Sequence, residues 1–142
     1  NFVPKPTFDF TVGGTFDPFH DYPTFLALAQ AFEDTGVRAY KGQAANLITT
    51  PDLLTAALQI HSVEARHASE VRRLRKLKGW ISNADRGAGM PPATQAVYDG
   101  EGVTNQAGFN TAAAFGASAG SEAYDEALTT QQVVDIANIF IV

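Results

Sequence analysis

Residues 57–69 read ALQIHSVEARHAS, and residues 31–42 read AFEDTGVRAYKG. Through and beyond the first stretch, Leu53, Ala57, Ile60, Glu64, His67, Val71 and Leu74 recur at alternating steps of four and three. That is the repeat of one helical face, so the spacing predicts a helix over 51–78. Thr50 reads as its N-cap, Pro51 as its first residue, Asp52 as a first-turn acid and Gly79 as its stop. Around the second stretch, Leu26, Ala29, Val37, Tyr40, Ala44 and Leu47 predict a helix over 23–47, opened by Pro23 after Asp21 and Tyr22. The connection at Ile48-Thr49-Thr50 is short, so the two helices are expected to be antiparallel neighbours. Gly36 and Gly42 each weaken an isolated helix by about 1 kcal/mol, which calls for a close approach by another segment or compensating packing.

Three ionisable residues fall on these apolar seams: Glu33, Glu64 and His67. A carboxylate in a core costs several kcal/mol unless it is paired, protonated or bound to a cation. Glu64 and His67 are three apart and leave one helical face together. Glu33 lies about 14 residues before the turn and Glu64 about 14 after it, so at about 1.5 Å per residue both sit near 21 Å from the turn. The three side chains are therefore expected in one layer, where two carboxylates and an imidazole suit iron or manganese, with zinc also allowed by donor type. A buried Glu–His ion pair, or a seam rotated slightly so that Glu33 is exposed, is the alternative reading of the same residues. Tyr40, one heptad beyond Glu33, reads as a packed aromatic with its hydroxyl bonded, the other reading being a donor to the metal ligands or a redox-active phenol; His61, one residue off the seam, reads as flanking or surface.

The rest of the chain is less regular. Segment 1–21 is broken by Pro4, Pro6, Gly13, Gly14 and Pro18. Its phenylalanines Phe2, Phe8, Phe10, Phe16 and Phe19 call for a hydrophobic surface to lie on. Asp17-Pro18-Phe19-His20-Asp21 reads as a turn. Arg72, Arg73, Arg75, Lys76 and Lys78 crowd the end of the second helix, where positive charge complements the helix dipole and is expected in solvent. Trp80-Ile81 is expected to tuck back onto the bundle. Residues 82–121, rich in Gly, Ala, Pro, Asn and Thr, read as a long, partly ordered excursion that wraps the surface, with a helical turn allowed at Ala112-Ala113-Ala114-Phe115 and limited by Gly116 and Gly120. Thr129 with Gln132 forms a capping box before a short apolar helix of Val133, Val134, Ile136, Ala137 and Phe140. The division is thus 1–81, linker and hairpin, and 82–142, excursion and terminal helix, within one domain.

Composition narrows the function classes. With 142 residues, 45% hydrophobic and 18% charged, the chain is a folded domain rather than a disordered segment. A net charge of -5 argues against nucleic acid as partner. No apolar run reaches the roughly 20 residues of a membrane span. The absence of cysteine excludes disulfides, thiolate metal sites and cysteine nucleophiles. The chain opens on Asn1, not Met, and is read as processed or as a segment of something longer.

The stretches at 31–42 and 57–69, with the ending Ala123-Tyr124-Asp125-Glu126-Ala127-Leu128-Thr129, resemble bacterial ferritin-like domain proteins of the desiccation-related group. They are similar to the third and fourth bundle helices and the C-terminus of that group. The resemblance implies an all-α, ferritin-like four-helix bundle with a carboxylate-bridged di-iron or di-manganese site. Such sites take a Glu from each of two helices and a Glu-x-x-His from each of the other two. Glu33 matches one single Glu, and Glu64 with His67 one Glu-x-x-His. The first two helices have no counterpart here, so the resemblance implies a partner: the other half of the same gene product, or a second copy of the chain in a homo-oligomer. It further implies an oxidase or metal-handling role, or a non-enzymatic structural or stress-protection role on the same scaffold, in a periplasmic or secreted setting.

Overall fold

The computed structural model describes residues 4–142. Two long helices dominate: α1, Tyr22–Gln43, and α2, Pro51–Leu74. Asp21 caps α1, its Oδ2 accepting from the Thr24 N–H at 2.9 Å. Both helices end earlier than the sequence predicts. Residues Ala44–Leu47 continue α1 only as a tighter 3₁₀ turn. The α2 helix stops at Leu74, because Lys76 turns into the left-handed region at φ 61°. There the Leu77 N–H donates to Arg72 O at 3.0 Å and the Lys76 N–H to Arg73 O at 2.9 Å, the paired bonds of a Schellman ending. Gly79 is thus not the stop. Nor does Thr50 cap with its side chain: its Oγ1 donates to Leu47 O at 3.1 Å instead.

The face that α2 buries also differs from the expected seam. Ala57, Ala68 and Arg72 are buried, whereas Leu53, Ile60, His67 and Leu74 are exposed. A seam read in steps of four and three drifts around a straight 3.6-residue helix, and here the expected stripe lies beside the contact with α1. On α1, Leu26, Ala27, Leu28, Gln30, Ala31, Asp34, Val37 and Arg38 are all buried. That stripe is wide because α1 has two neighbours, α2 on one side and the C-terminal third of the chain on the other.

Residues 82–121 run largely along the surface, with the expected helical turn ending at Gly116, but they are more ordered and more deeply anchored than their composition predicts. They hold a 3₁₀ helix at Pro92–Val97, a two-residue-per-strand hairpin of β1, Asn105–Gln106, and β2, Phe109–Asn110, then α3, Thr111–Phe115, and α4, Ala117–Ser121. Met90, Val97 and Tyr98 from this region join Ile81, Leu128 and Ile136 against Ala27 and Ala31 in one buried cluster. The final helix, α5 at Thr130–Ala137, starts with the expected capping box between Thr129 and Gln132. Gly42 lets the closing strand of chain approach, since a Cβ there would stand 1.9 Å from Leu128 O.

The N-terminal segment lies on the chain's other end. The Asp9 N–H donates to Phe140 O at 2.8 Å, and the Val142 N–H donates to Thr7 O at 3.1 Å. Phe8 stacks on Phe10, Phe10 meets Phe32 edge-on, and Phe32 packs against Phe140. Phe19 remains exposed, and Phe2 lies outside the described residues. Ile81 is buried as expected but Trp80 is half exposed.

Candidate metal centre

Glu33, near the middle of α1, faces Glu64 and His67 of α2. One ligand atom from each of the three lies within 4.8 Å of the others. His67 Nδ1 stands 3.4 Å from Glu33 Oε2 and 3.6 Å from Glu64 Oε2. Glu33 and Glu64 are half-buried, while the His67 side chain keeps 55% of its surface in solvent. The cluster therefore sits at the rim of the interhelical groove, not inside a closed core. Gly36 faces Glu64 across the groove, where a Cβ would stand in ordinary contact at 3.5 Å from Glu64 Cγ.

The electrostatics are those of an anionic site. Burial pushes the Glu33 carboxyl above its usual range and the neighbouring Glu64 carboxyl adds to the rise, with His67 opposing it. Glu33 Oε2 is closed off from water and has no hydrogen-bond partner among the described residues. An oxygen in that position is normally satisfied by a proton or a cation. Two carboxylates and an imidazole form a donor set suited to iron, manganese or zinc, so the residues present fit a divalent metal.

Beneath this layer lies a network that sequence reasoning missed. Asp34, next to Glu33, is held by Arg72 in a two-pronged pair, Nη2 to Oδ2 at 2.7 Å and Nε to Oδ1 at 3.3 Å. The Tyr98 hydroxyl donates to Asp34 Oδ2 at 2.8 Å and accepts from Gln30 Nε2 at 2.9 Å. The Arg72 guanidinium lies 5.5 Å from the Tyr98 ring centre. Arg75 donates to Gln30 Oε1 and, at 2.7 Å, to Ala88 O. Arg72, expected in solvent to offset the helix dipole, is instead buried in a pairing that pins α2 to α1. The pair fixes the register in which Glu33 meets Glu64 and His67.

A second buried arginine ties α1 to the C-terminal region. Arg38 Nε stands 2.5 Å from Glu101 Oε1 and donates to Glu126 O at 2.7 Å, while Nη1 donates to Val97 O and Nη2 to Asp99 O at 3.0 Å. His61, expected as flanking or surface, is half-buried, with Nε2 enclosed and unpartnered among the described residues. Burial, with Lys41 nearby, holds its pKa below the usual histidine value. It stands outside the Glu33–Glu64–His67 group. A polar residue at an inward helical position, such as Asp34 or Arg38 between Ala31 and Tyr40, was the available signal. Charge alone pointed to solvent.

Residues 1–77, which include both long helices and all three candidate ligands, match the family model described as Ferritin-like domain. No curated protein and no solved structure matches the chain. The family match covers more than half of the 142 residues, and the described structure is all-α apart from its short hairpin. The chain belongs to the ferritin-like domain family.

Proposed function

We propose that Glu33, Glu64 and His67 hold metal in a carboxylate-bridged centre of two iron or two manganese ions, serving oxidation chemistry or metal handling. The observation that carries this reading is Glu33 Oε2, enclosed without a hydrogen-bond partner beside a second carboxylate and an imidazole. Bound iron or manganese would supply one-electron chemistry toward an oxidant. The chain's own part is to hold the donors: Glu33 and Glu64 present paired oxygens, and His67 presents a ring nitrogen. Asp34–Arg72 keeps the two helices in register.

Three ligands do not complete two ions, and Leu53, Ile60 and Leu74, spaced by sevens from His67 along α2, are exposed. We infer that two further helices cover this face and bring a second Glu and a second Glu-x-x-His. The remainder of the same gene product is the source we favour, with a second copy as the other. Metal analysis of the purified full-length protein tests the whole reading. About two equivalents of iron or manganese per complete bundle are expected, falling when His67→Ala or Glu64→Gln removes a ligand.

One observation favours a second reading. His67 stands within 3.6 Å of both carboxylates, the arrangement of a Glu–His–Glu ion cluster that needs no metal. That would make the chain a structural or stress-protection protein on a ferritin-like scaffold. The sign of one stability change separates the two. With metal, Glu64→Gln lowers stability and chelator lowers that of the wild type. Without metal, chelator changes nothing and Glu64→Gln, which relieves carboxylate repulsion, leaves stability unchanged or higher.

A further inference from the structure

Where the chain leaves α2, a cleft of about 330 Å³ opens, with Lys78, Trp80, Ser82, Asp85 and Ser118 on its walls. It includes none of the candidate metal ligands and none of the exposed apolar residues of the α1–α2 face. Trp80 is the one tryptophan of the sequence, and 52% of its surface is in solvent. An indole half in water on the wall of a cleft offers a flat apolar surface with a polar edge, on which the apolar face of a ligand can lie.

The indole is not on a loose loop. The Trp80 carbonyl accepts from Arg72 Nη1 at 3.4 Å, and Arg72 is itself fixed on Asp34. Gly79 runs so close to α2 that a Cβ would stand 2.6 Å from Ser69 Oγ, and Ile81 is buried on the other side. Beside the ring, Glu122 Oε1 accepts from Lys78 Nζ at 2.6 Å, from Ser82 Oγ at 2.5 Å and from Ser118 Oγ at 3.3 Å. The bonds from Lys78, first, and Ser82 hold the Glu122 carboxyl down to about 2, and the Trp80 indole contributes. A pre-set ring beside a fixed polar floor loses little freedom on binding.

The charges decide what fits. Lys78 is balanced by Glu122, Arg72 is balanced by Asp34, and Asp85 stands as a further acid. The two cations on the walls, Lys78 and Arg72, are thus already paired, and an anion meets the carboxylate of Asp85; a purely apolar molecule leaves the polar walls unpaired. Hydrogen-bonding capacity remains on those walls. Lys78 has further N–H groups, its side chain is more than half exposed, and Asp85 uses Oδ1 on the Gly87 N–H at 2.8 Å, leaving Oδ2. The matching ligand is neutral, with one apolar ring face and a rim of hydroxyls. We propose that the Trp80 cleft binds a neutral saccharide, its C–H face on the indole and its hydroxyls on Lys78, Asp85 and Ser118.

The test is calorimetric titration of the full-length protein with cellotriose and with maltotriose. At least one should bind saturably. Trp80→Ala should weaken it by about tenfold or more, and Asp85→Ala by about threefold or more, whereas Glu64→Gln, in the proposed metal site, should leave it unchanged. If Trp80→Ala does not fold, Trp80→Phe, which keeps a smaller ring, should give an intermediate loss, and Asp85→Ala decides. The proposal is overturned if neither sugar binds at up to about 50 mM, far above the millimolar range of a weak site. It is equally overturned if binding is indifferent to both Trp80 and Asp85. Acrylamide quenching of Trp80 fluorescence gives the remaining control: an indole shielded in the full-length protein belongs to an internal interface and sinks the idea.

Discussion

Asp34 and Glu101 are both acids beside buried arginines, and they show how differently one residue type can be settled. Asp34 has Arg72, Tyr98 and no competing acid among those partners. Glu101, 1% exposed, has Arg38, but burial outweighs that pairing, Asp125 and Glu126 add to the rise, and its carboxyl is pushed up to about 8. The consequence for stability has a definite sign. Between the ordinary glutamate value near 4.5 and about 8, the folded chain holds a proton that the unfolded chain has released. Stability therefore falls as pH rises through that window, by at most about 1.4 kcal/mol per pH unit from this group. Urea unfolding of wild type and Glu101→Gln between pH 5 and pH 8.5 measures it. The variant should lose this slope, so that wild type minus variant falls toward high pH. A difference that is flat or rises with pH would show that Arg38 keeps Glu101 ionised throughout. None of this was legible in the sequence, because periodicity places a residue on a face but is silent about which partner waits there.

At the scale of the helices, the starts were legible and the ends were not. Asp21 before Tyr22-Pro23 and Thr50 before Pro51 are signals of residue type, and both helices begin beside them. The end of α2 depends instead on Lys76 taking a left-handed conformation, which nothing about a lysine in a basic run announces. A non-glycine residue there is strained by about 1 kcal/mol. Lys76→Gly should accordingly stabilise the protein by up to about 1 kcal/mol in chemical denaturation; a loss would mean that the lysine side chain makes a contact worth more than the strain. Gly42 is the opposite case, because its neighbour is backbone rather than solvent. Gly42→Ala must displace the 126–129 segment, whose Leu128 N–H donates to Arg38 O at 3.1 Å. Although alanine is the better helix former, the expected result is a loss of about 1–3 kcal/mol by overpacking. A neutral or stabilised Gly42→Ala would show that this segment is free to move away. The two glycines of α1 were flagged by their helix-weakening effect, and the structure supplies the neighbours: Leu128 for Gly42 and Glu64 for Gly36.

For the molecule as a whole, the decisive feature is that one side of the α1–α2 hairpin is well covered and the other is not. Residues 82–142 cover α1 from behind through Met90, Val97, Tyr98, Leu128 and Ile136, a packing invisible in a composition that looked like loop. The seam of Leu53, Ile60, His67 and Leu74 was legible as an apolar repeat, yet it faces outward. An apolar repeat shows that a face is meant to be buried and leaves open against what. We expect two further helices on it, and this can be tested without knowing their sequence. Ile60 and Leu58 are similarly exposed in the hairpin, at 40% and 50%, but only Ile60 lies on the side of His67. If the face is bare in the working protein, Ile60→Asp and Leu58→Asp are both surface substitutions and each changes stability by no more than about 0.5 kcal/mol. If helices cover it, Ile60→Asp buries an unpaired carboxylate and should cost several kcal/mol, while Leu58→Asp stays mild. Thermal unfolding of the two full-length variants distinguishes these outcomes. Sedimentation of residues 1–142 alone supplies the complement: the uncovered hairpin should associate or fail to fold, and a stable monomer with a native near-ultraviolet spectrum would show that this face needs no cover at all.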